Sequence, residues 1–142
     1  MAKTKLLNAQ ATGTYGIEAW DEKTWDGKDR KAQPGVKLTH AKIRQDFKGD
    51  IEGKAEIQLV MSYREDESAT FVGLQYMSGR IGDRIGSFVI KVDGVFEKGV
   101  AKSTWEIVPG SGTGDLRGIR GEGTTEATHG DRQPFTLNYR FE

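Results

Sequence analysis

Six residues with a polar handle on an apolar or amide side chain fall in the apolar phase of segments that alternate apolar and polar residues: Tyr15, Gln45, Tyr63, Gln75, Trp105 and Tyr139. Inward-facing groups of this kind, among Ile43, Phe47, Ile57, Leu59, Met61, Phe71, Phe88, Ile90, Leu137 and Phe141, are what a small-molecule site requires: an apolar wall with a few convergent hydrogen-bonding groups. In a catalytic version, Tyr63 and Tyr139 donate to a developing oxyanion while Gln45 or Gln75 orients the ligand. Glu18 and Glu106 are the carboxylates nearest to apolar strand neighbours; they serve as acid or base only where a bulge turns them inward, since strand phase points both outward. The competing reading is structural. Buried Tyr, Gln and Trp often only satisfy one another, and a small eight-stranded barrel can be filled solid by side chains.

Other chemistries are disfavoured by type and spacing. Gly110, Gly112 and Gly114 do not form a dinucleotide or phosphate-loop fingerprint, because no G-K-[ST] and no helical pattern follow them. They read as turn and bulge glycines. His40 and His129 are the only histidines, one in an outward position and one in a polar turn, without the paired spacing of a metal site. A serine triad lacks its nucleophile elbow and a suitable histidine. No cofactor and no metal are expected.

Composition narrows the class further. The 142 residues suit one domain, with residues 1–10 as an N-terminal arm and 11–142 as the fold. Nineteen glycines, about twice the usual share of roughly 7%, beside only three prolines point to many tight turns. The 21 basic residues balance the 21 acidic ones, so the positive excess of a nucleic-acid binder is missing. Without cysteine there is neither disulfide nor thiolate chemistry. No apolar run is long enough for a signal-peptide core or a membrane helix, which predicts a soluble, cytoplasmic protein that touches neither nucleic acid nor membrane.

The elements that must position the six residues are strands. Ala11–Trp20 alternates, with Tyr15, Ile17 and Ala19 on one face and Thr14, Glu18 and Trp20 on the other. Residues 21–35 read as the longest polar connection, with Trp25 as a plug over an open barrel end or a subunit contact. Val36–Phe47 also matches helical spacing, but its polar split is cleaner as a strand. Ala55–Tyr63 alternates most regularly. Ala69–Met77 is apolar on both faces, so Val72, Leu74 and Tyr76 predict an outer surface covered by another copy of the chain. In the stretch from Ile85 to Gly123, Asp93-Gly94 reads as a bulge or bend and Lys98-Gly99 as the hairpin turn. A short strand at 124–127 and the alternating Phe135, Leu137, Tyr139 and Phe141 close the chain. About eight strands and no helix predict an all-β antiparallel barrel.

The segments AWDEK, FKGDIEGKA, SATFVGLQYMSG, GSFVIKVDGVFEKGVAKSTWEIVPGSGTGDLRGIRGEG and YRFE resemble an uncharacterised bacterial family catalogued as a domain of unknown function. The resemblance runs from about residue 11 to the end and is most specific between Trp105 and Gly123. That family is similar in fold to allene oxide cyclase, an eight-stranded barrel with a ligand cavity, and GSGTGDLRGIRGEG also looks like the glycine-rich turn of plant dirigent proteins. The resemblance implies a fold and no residue-by-residue activity. The sequence thus predicts a barrel that binds a small hydrophobic molecule in its lumen, with an isomerase or cyclase as its enzymatic form. A non-catalytic carrier, or a homo-oligomer with a filled barrel, is the alternative.

Overall fold

The computed structural model describes residues 9–142, in which eight antiparallel strands close on themselves. In chain order they are β1 (Ala9–Thr24), β2 (Lys37–Gly49), β3 (Ile51–Tyr63), β4 (Ala69–Ile81), β5 (Arg84–Glu97), β6 (Val100–Ile107), β7 (Ile119–Ala127) and β8 (Arg132–Phe141). Each strand pairs with the next, and β8 returns to β1 with Ala11 opposite Leu137. Among the described residues, closure leaves no strand edge to template another chain. Residues 1–8 of the expected arm lie outside the described residues, whereas Ala9 and Gln10 already pair with Tyr139 and Asn138.

Period-two burial drives the closure. Along β2, Lys37, Thr39, Ala41, Ile43, Gln45 and Phe47 are buried while Leu38, His40, Lys42 and Arg44 are exposed, so the helical alternative for this segment is set aside. At the tip of the β5–β6 hairpin, Lys98 and Gly99 have φ of 53° and 79°, the left-handed pair that a two-residue turn needs to follow strand twist. Asp93-Gly94 is neither bulge nor bend. Pairing runs evenly through it, with Gly94 opposite both Phe71 and Ser103.

The polar connection expected at 21–35 is shorter than its composition suggests. β1 continues to Thr24 because its register shifts between Ile17, opposite Gln45, and Ala19, opposite Arg44. Glu18 is the extra residue of this bulge, and one extra residue exchanges the faces of everything after it. Tyr15 points inward before the bulge; Glu22 and Thr24 are buried after it, opposite Ala41 and Thr39. A single-turn 3-10 helix (Arg30–Ala32), capped by the Asp29 carboxylate accepting from the Lys31 amide, carries the chain to β2.

The two halves of the barrel are filled differently. At the end where β3 begins, Ile51, Met77, Ile81, Phe88, Ile107, Ile119 and Leu137 are almost fully buried. Leu116 joins them from a second 3-10 turn (Gly114–Leu116) and stoppers this end. Residues 108–118 stand in for a ninth strand beside the first half of β5: the Val108 amide donates to the Val89 carbonyl at 2.9 Å, the Thr113 amide to the Ser87 carbonyl at 2.8 Å, and Ser111 Oγ accepts from the Val89 amide at 3.0 Å. These bonds tie the glycine-rich stretch to β5 and hold Leu116 over the end of the barrel, so the stretch is a plug.

Candidate functional site

The other half of the lumen is open. A cavity of about 470 Å³ is lined by Tyr15, Ile43, Gln45, Ile57, Leu59, Met61, Tyr63, Phe71, Gln75, Val92 and Trp105, with Phe96, Ala101, Ser103 and Ala127 toward the mouth. Room exists because the inward positions shrink here to Ala41, Gly73, Gly94, Ala101 and Ser103. At Gly73 a Cβ would be driven into the Gln58 carbonyl oxygen of β3, so even alanine is excluded where the two strands close up. Volume, apolar walls and few polar groups match a site for one small molecule.

One wall is aromatic. Tyr15 stacks on Phe47 with ring centroids 5.5 Å apart, and Trp105 stacks on Phe135 at 6.1 Å. Phe47 bridges the pairs at 5.3 Å from Phe135. The Tyr15 hydroxyl lies 3.4 Å from Thr125 Oγ1, and burial pushes its phenol above the ordinary value while that hydrogen bond works the other way. A rigid apolar surface with one polar tip is the result.

The mouth is built around Glu22. Its side chain is only 3% exposed and its two oxygens have four partners. Oε2 accepts from the Tyr63 hydroxyl at 2.6 Å and from Thr39 Oγ1 at 2.8 Å. Oε1 accepts from Trp20 Nε1 at 3.0 Å and lies 3.5 Å from Arg30 Nε. A carboxylate this far from water needs such a set, and its assembly from three strands and a loop fixes the rim. Tyr63 is held strongly protonated, first because burial disfavours the phenolate and then because Glu22 accepts its proton and repels its anion. Lys37 Nζ sits 4.3 Å from the centroid of the Tyr63 ring and donates to the Gly35 carbonyl at 3.1 Å. Glu67 completes the rim, accepting from the Gly35 amide at 2.7 Å and lying 3.4 Å from Lys37 Nζ.

Five of the six residues singled out by strand phase share the cavity: Tyr15, Gln45, Tyr63, Gln75 and Trp105. Tyr139 does not. It is half-buried at the stoppered end, its ring edge-on to Phe141 at 6.0 Å, opposite Gly121 and Ala9. Glu106 lies on the outer surface between Lys91 and Glu122, so its role as acid or base is withdrawn. Glu18 is exposed as well. The Tyr63 hydroxyl donates its hydrogen bond to Glu22, so it is not the free oxyanion donor that strand phase suggests. Trp25 is 64% exposed, its indole donating to the Thr39 carbonyl at 3.1 Å, and it does not plug the barrel end. Strand phase missed Glu22 and Arg30; the only signal for Glu22 was its distance beyond a bulge that the sequence did not announce.

His40 and His129 are both exposed, and among the described residues no group of three His, Asp or Glu side chains is placed to hold a metal ion.

These features define a class: a closed eight-stranded antiparallel barrel, stoppered at one end and hollow at the other. The chain belongs to the DUF3224 family of proteins of unknown function, whose model matches residues 11–139. Its fold is also that of a crystal structure of a DUF3224 protein of unknown function from Shewanella oneidensis MR-1, with a TM-score of 0.76 at 21% identity over 97% of this chain and 99% of that one. A search of the curated proteins gives no match.

Proposed function

We propose that this protein is a cytoplasmic barrel that binds a small, largely apolar molecule in the open half of its lumen. The observation that carries the reading is the cavity of about 470 Å³, apolar along its walls and ringed at its mouth by Glu22, Tyr63 and Arg30. The fold likeness to allene oxide cyclase that the family resemblance implies supports it, since that fold holds a ligand inside an eight-stranded barrel. The neutral fluorophore N-phenyl-1-naphthylamine tests it. Saturable binding at one site per chain is expected, together with loss of binding in the variant A101L/A127L, whose two side chains face each other across β6 and β7 at the cavity mouth. Unchanged binding in that variant, with its melting temperature preserved, would remove the lumen as the site.

A catalytic form of the same reading, an isomerase or cyclase, is favoured by the Glu22–Tyr63 pair at the rim. The step this arrangement permits is concerted: as the Tyr63 oxygen takes a proton from a bound ligand, its own hydroxyl proton passes along the hydrogen bond to Glu22, and the reverse shift returns a proton to the ligand at its new position. Independently, we propose self-association through the outer face of β3 and β4, where Val60 and Val72 are cross-strand partners and Leu74 and Tyr76 are 55% and 52% exposed.

A further inference from the structure

The floor of the cavity carries two carboxamides, each with one buried polar atom that the described residues leave unpaired. Gln45 is 7% exposed and Gln75 1%, both line the cavity, and neither Gln45 Oε1 nor Gln75 Nε2 has a hydrogen-bond partner among the described residues. Buried polar groups are nearly always satisfied, and each exception calls for an explanation. Gln133, on the same lumen, shows the usual outcome: its amide donates to the Thr128 and Gly130 carbonyls at 3.0 and 3.1 Å and accepts from the Thr128 amide at 2.9 Å. Among the described residues, nothing comparable anchors Gln45 Oε1 or Gln75 Nε2.

Their placement is as specific as their isolation. Gln45 on β2 faces Ala55, and Gln75 on β4 faces Ile57, so both stand on the wall centred on β3, two strands and two residues apart. Strand geometry makes this on the order of 12 Å between Cα atoms, a gap that one small head group fills. The charged residues of the lining, Glu22, Arg30, Glu67 and Asp131, come from the mouth and its loops, while the carboxamides are flanked by Ile43 and Ile57. An ion seated at the floor would lose its hydration with no counter-charge in reach.

We propose that the ligand enters head first and seats a neutral group bearing both a hydrogen-bond donor and an acceptor, of the primary amide, lactam or imide type, between Gln45 and Gln75. Each carboxamide presents a donor and an acceptor, so a head group of only one kind leaves half of each pair unmet. A half-turn of either side chain changes which atom meets which and leaves the demand for both kinds intact. This identification rests on the lumen being the binding site.

Isothermal titration calorimetry with three naphthalene probes of nearly equal size separates the two claims. 2-Naphthamide is expected to bind about tenfold or more tightly than 2-methylnaphthalene, the span of one good buried hydrogen bond, and more tightly than 2-naphthoate. In Q45L/Q75L the advantage of the amide over the hydrocarbon should vanish while affinity for 2-methylnaphthalene is kept. The single variants Gln45→Leu and Gln75→Leu, each with part of the loss, serve if the double variant melts early. Equal affinities of amide and hydrocarbon in the native protein, tighter binding of the naphthoate, or an amide advantage that survives both substitutions would overturn the head-group assignment with the lumen reading intact. Absence of binding for all three probes would remove both.

Discussion

The Tyr63 hydroxyl donates to Glu22 Oε2 at 2.6 Å, joining β3 to β1 across the mouth although β2 lies between them in the sheet. Both residues are buried, and Thr39 of the intervening strand donates to the same oxygen. The contact therefore ties three strands together at the end of the barrel that is hollow among the described residues. What Leu116 does by packing at one end, Glu22 does by hydrogen bonding at the other.

Glu22→Ala should be among the more damaging rim substitutions. It leaves the Tyr63 and Thr39 hydroxyls and the Trp20 indole without their acceptor and removes the counter-charge beside Arg30. A loss of about 2–3 kcal/mol is expected, below the full cost of breaking a buried ion pair because Arg30 reaches water. Glu22→Gln, which keeps one acceptor, should cost less. Urea melts of both variants measure the difference, and equal costs would show that the acceptor kept by glutamine contributes nothing and that the carboxylate's charge carries the whole effect.

Tyrosine ionisation should fall into distinguishable populations. Folding raises the phenol values of Tyr15 and Tyr63, in both cases chiefly by burial. A raised value means that the folded state favours the protonated phenol; the stabilisation is complete below the ordinary value of about 10 and is lost as pH climbs through the folded one. Absorbance at 295 nm should show part of the tyrosine signal appearing only at strongly alkaline pH. Tyr63→Phe should remove signal from that late portion and make stability fall less steeply above about pH 10. Removal of signal from the early portion would contradict the buried, Glu22-bound phenol.

Leu116→Ala should destabilise by about 2–5 kcal/mol, the range for emptying a well-packed core position. Leu116 is 1% exposed and belongs to the stoppered end, away from the cavity lining. N-phenyl-1-naphthylamine affinity at a temperature where the variant is folded should therefore be unchanged. A parallel loss of affinity would mean that the two halves of the lumen are coupled.

Sedimentation should give a mass above the 15.7 kDa of one chain, and Leu74→Lys should return it toward that value. Leu74 is 55% exposed on the outer face, beside Gln58 and Lys91, so the substitution disturbs no core contact. A single-chain mass for the native protein would leave the apolar stripe without the partner proposed for it.

The amino-acid sequence by itself determined the barrel, most of its strands and five of the cavity residues, though it ended β1 at Trp20 and began β7 at Thr124 instead of Ile119. Period-two alternation is a local property: Gln75 stands between Leu74 and Tyr76 and faces the other way whatever the rest of the chain does. The Lys98-Gly99 turn was legible for the same reason, as a dipeptide suited to left-handed backbone. Three matters were decided only in three dimensions. The bulge at Glu18 depends on how β1 meets β2, and it turned Glu22 from a loop residue into the buried centre of the rim. Tyr139 obeyed the inward phase yet lies at the stoppered end, because phase gives the face of a residue and not its height in the barrel. The division of the lumen into a filled half and a hollow half arises from side-chain volumes summed around a ring of eight strands, Met77, Phe88 and Leu116 in one layer against Gly73, Gly94 and Ala101 in another, and no single strand contains that sum.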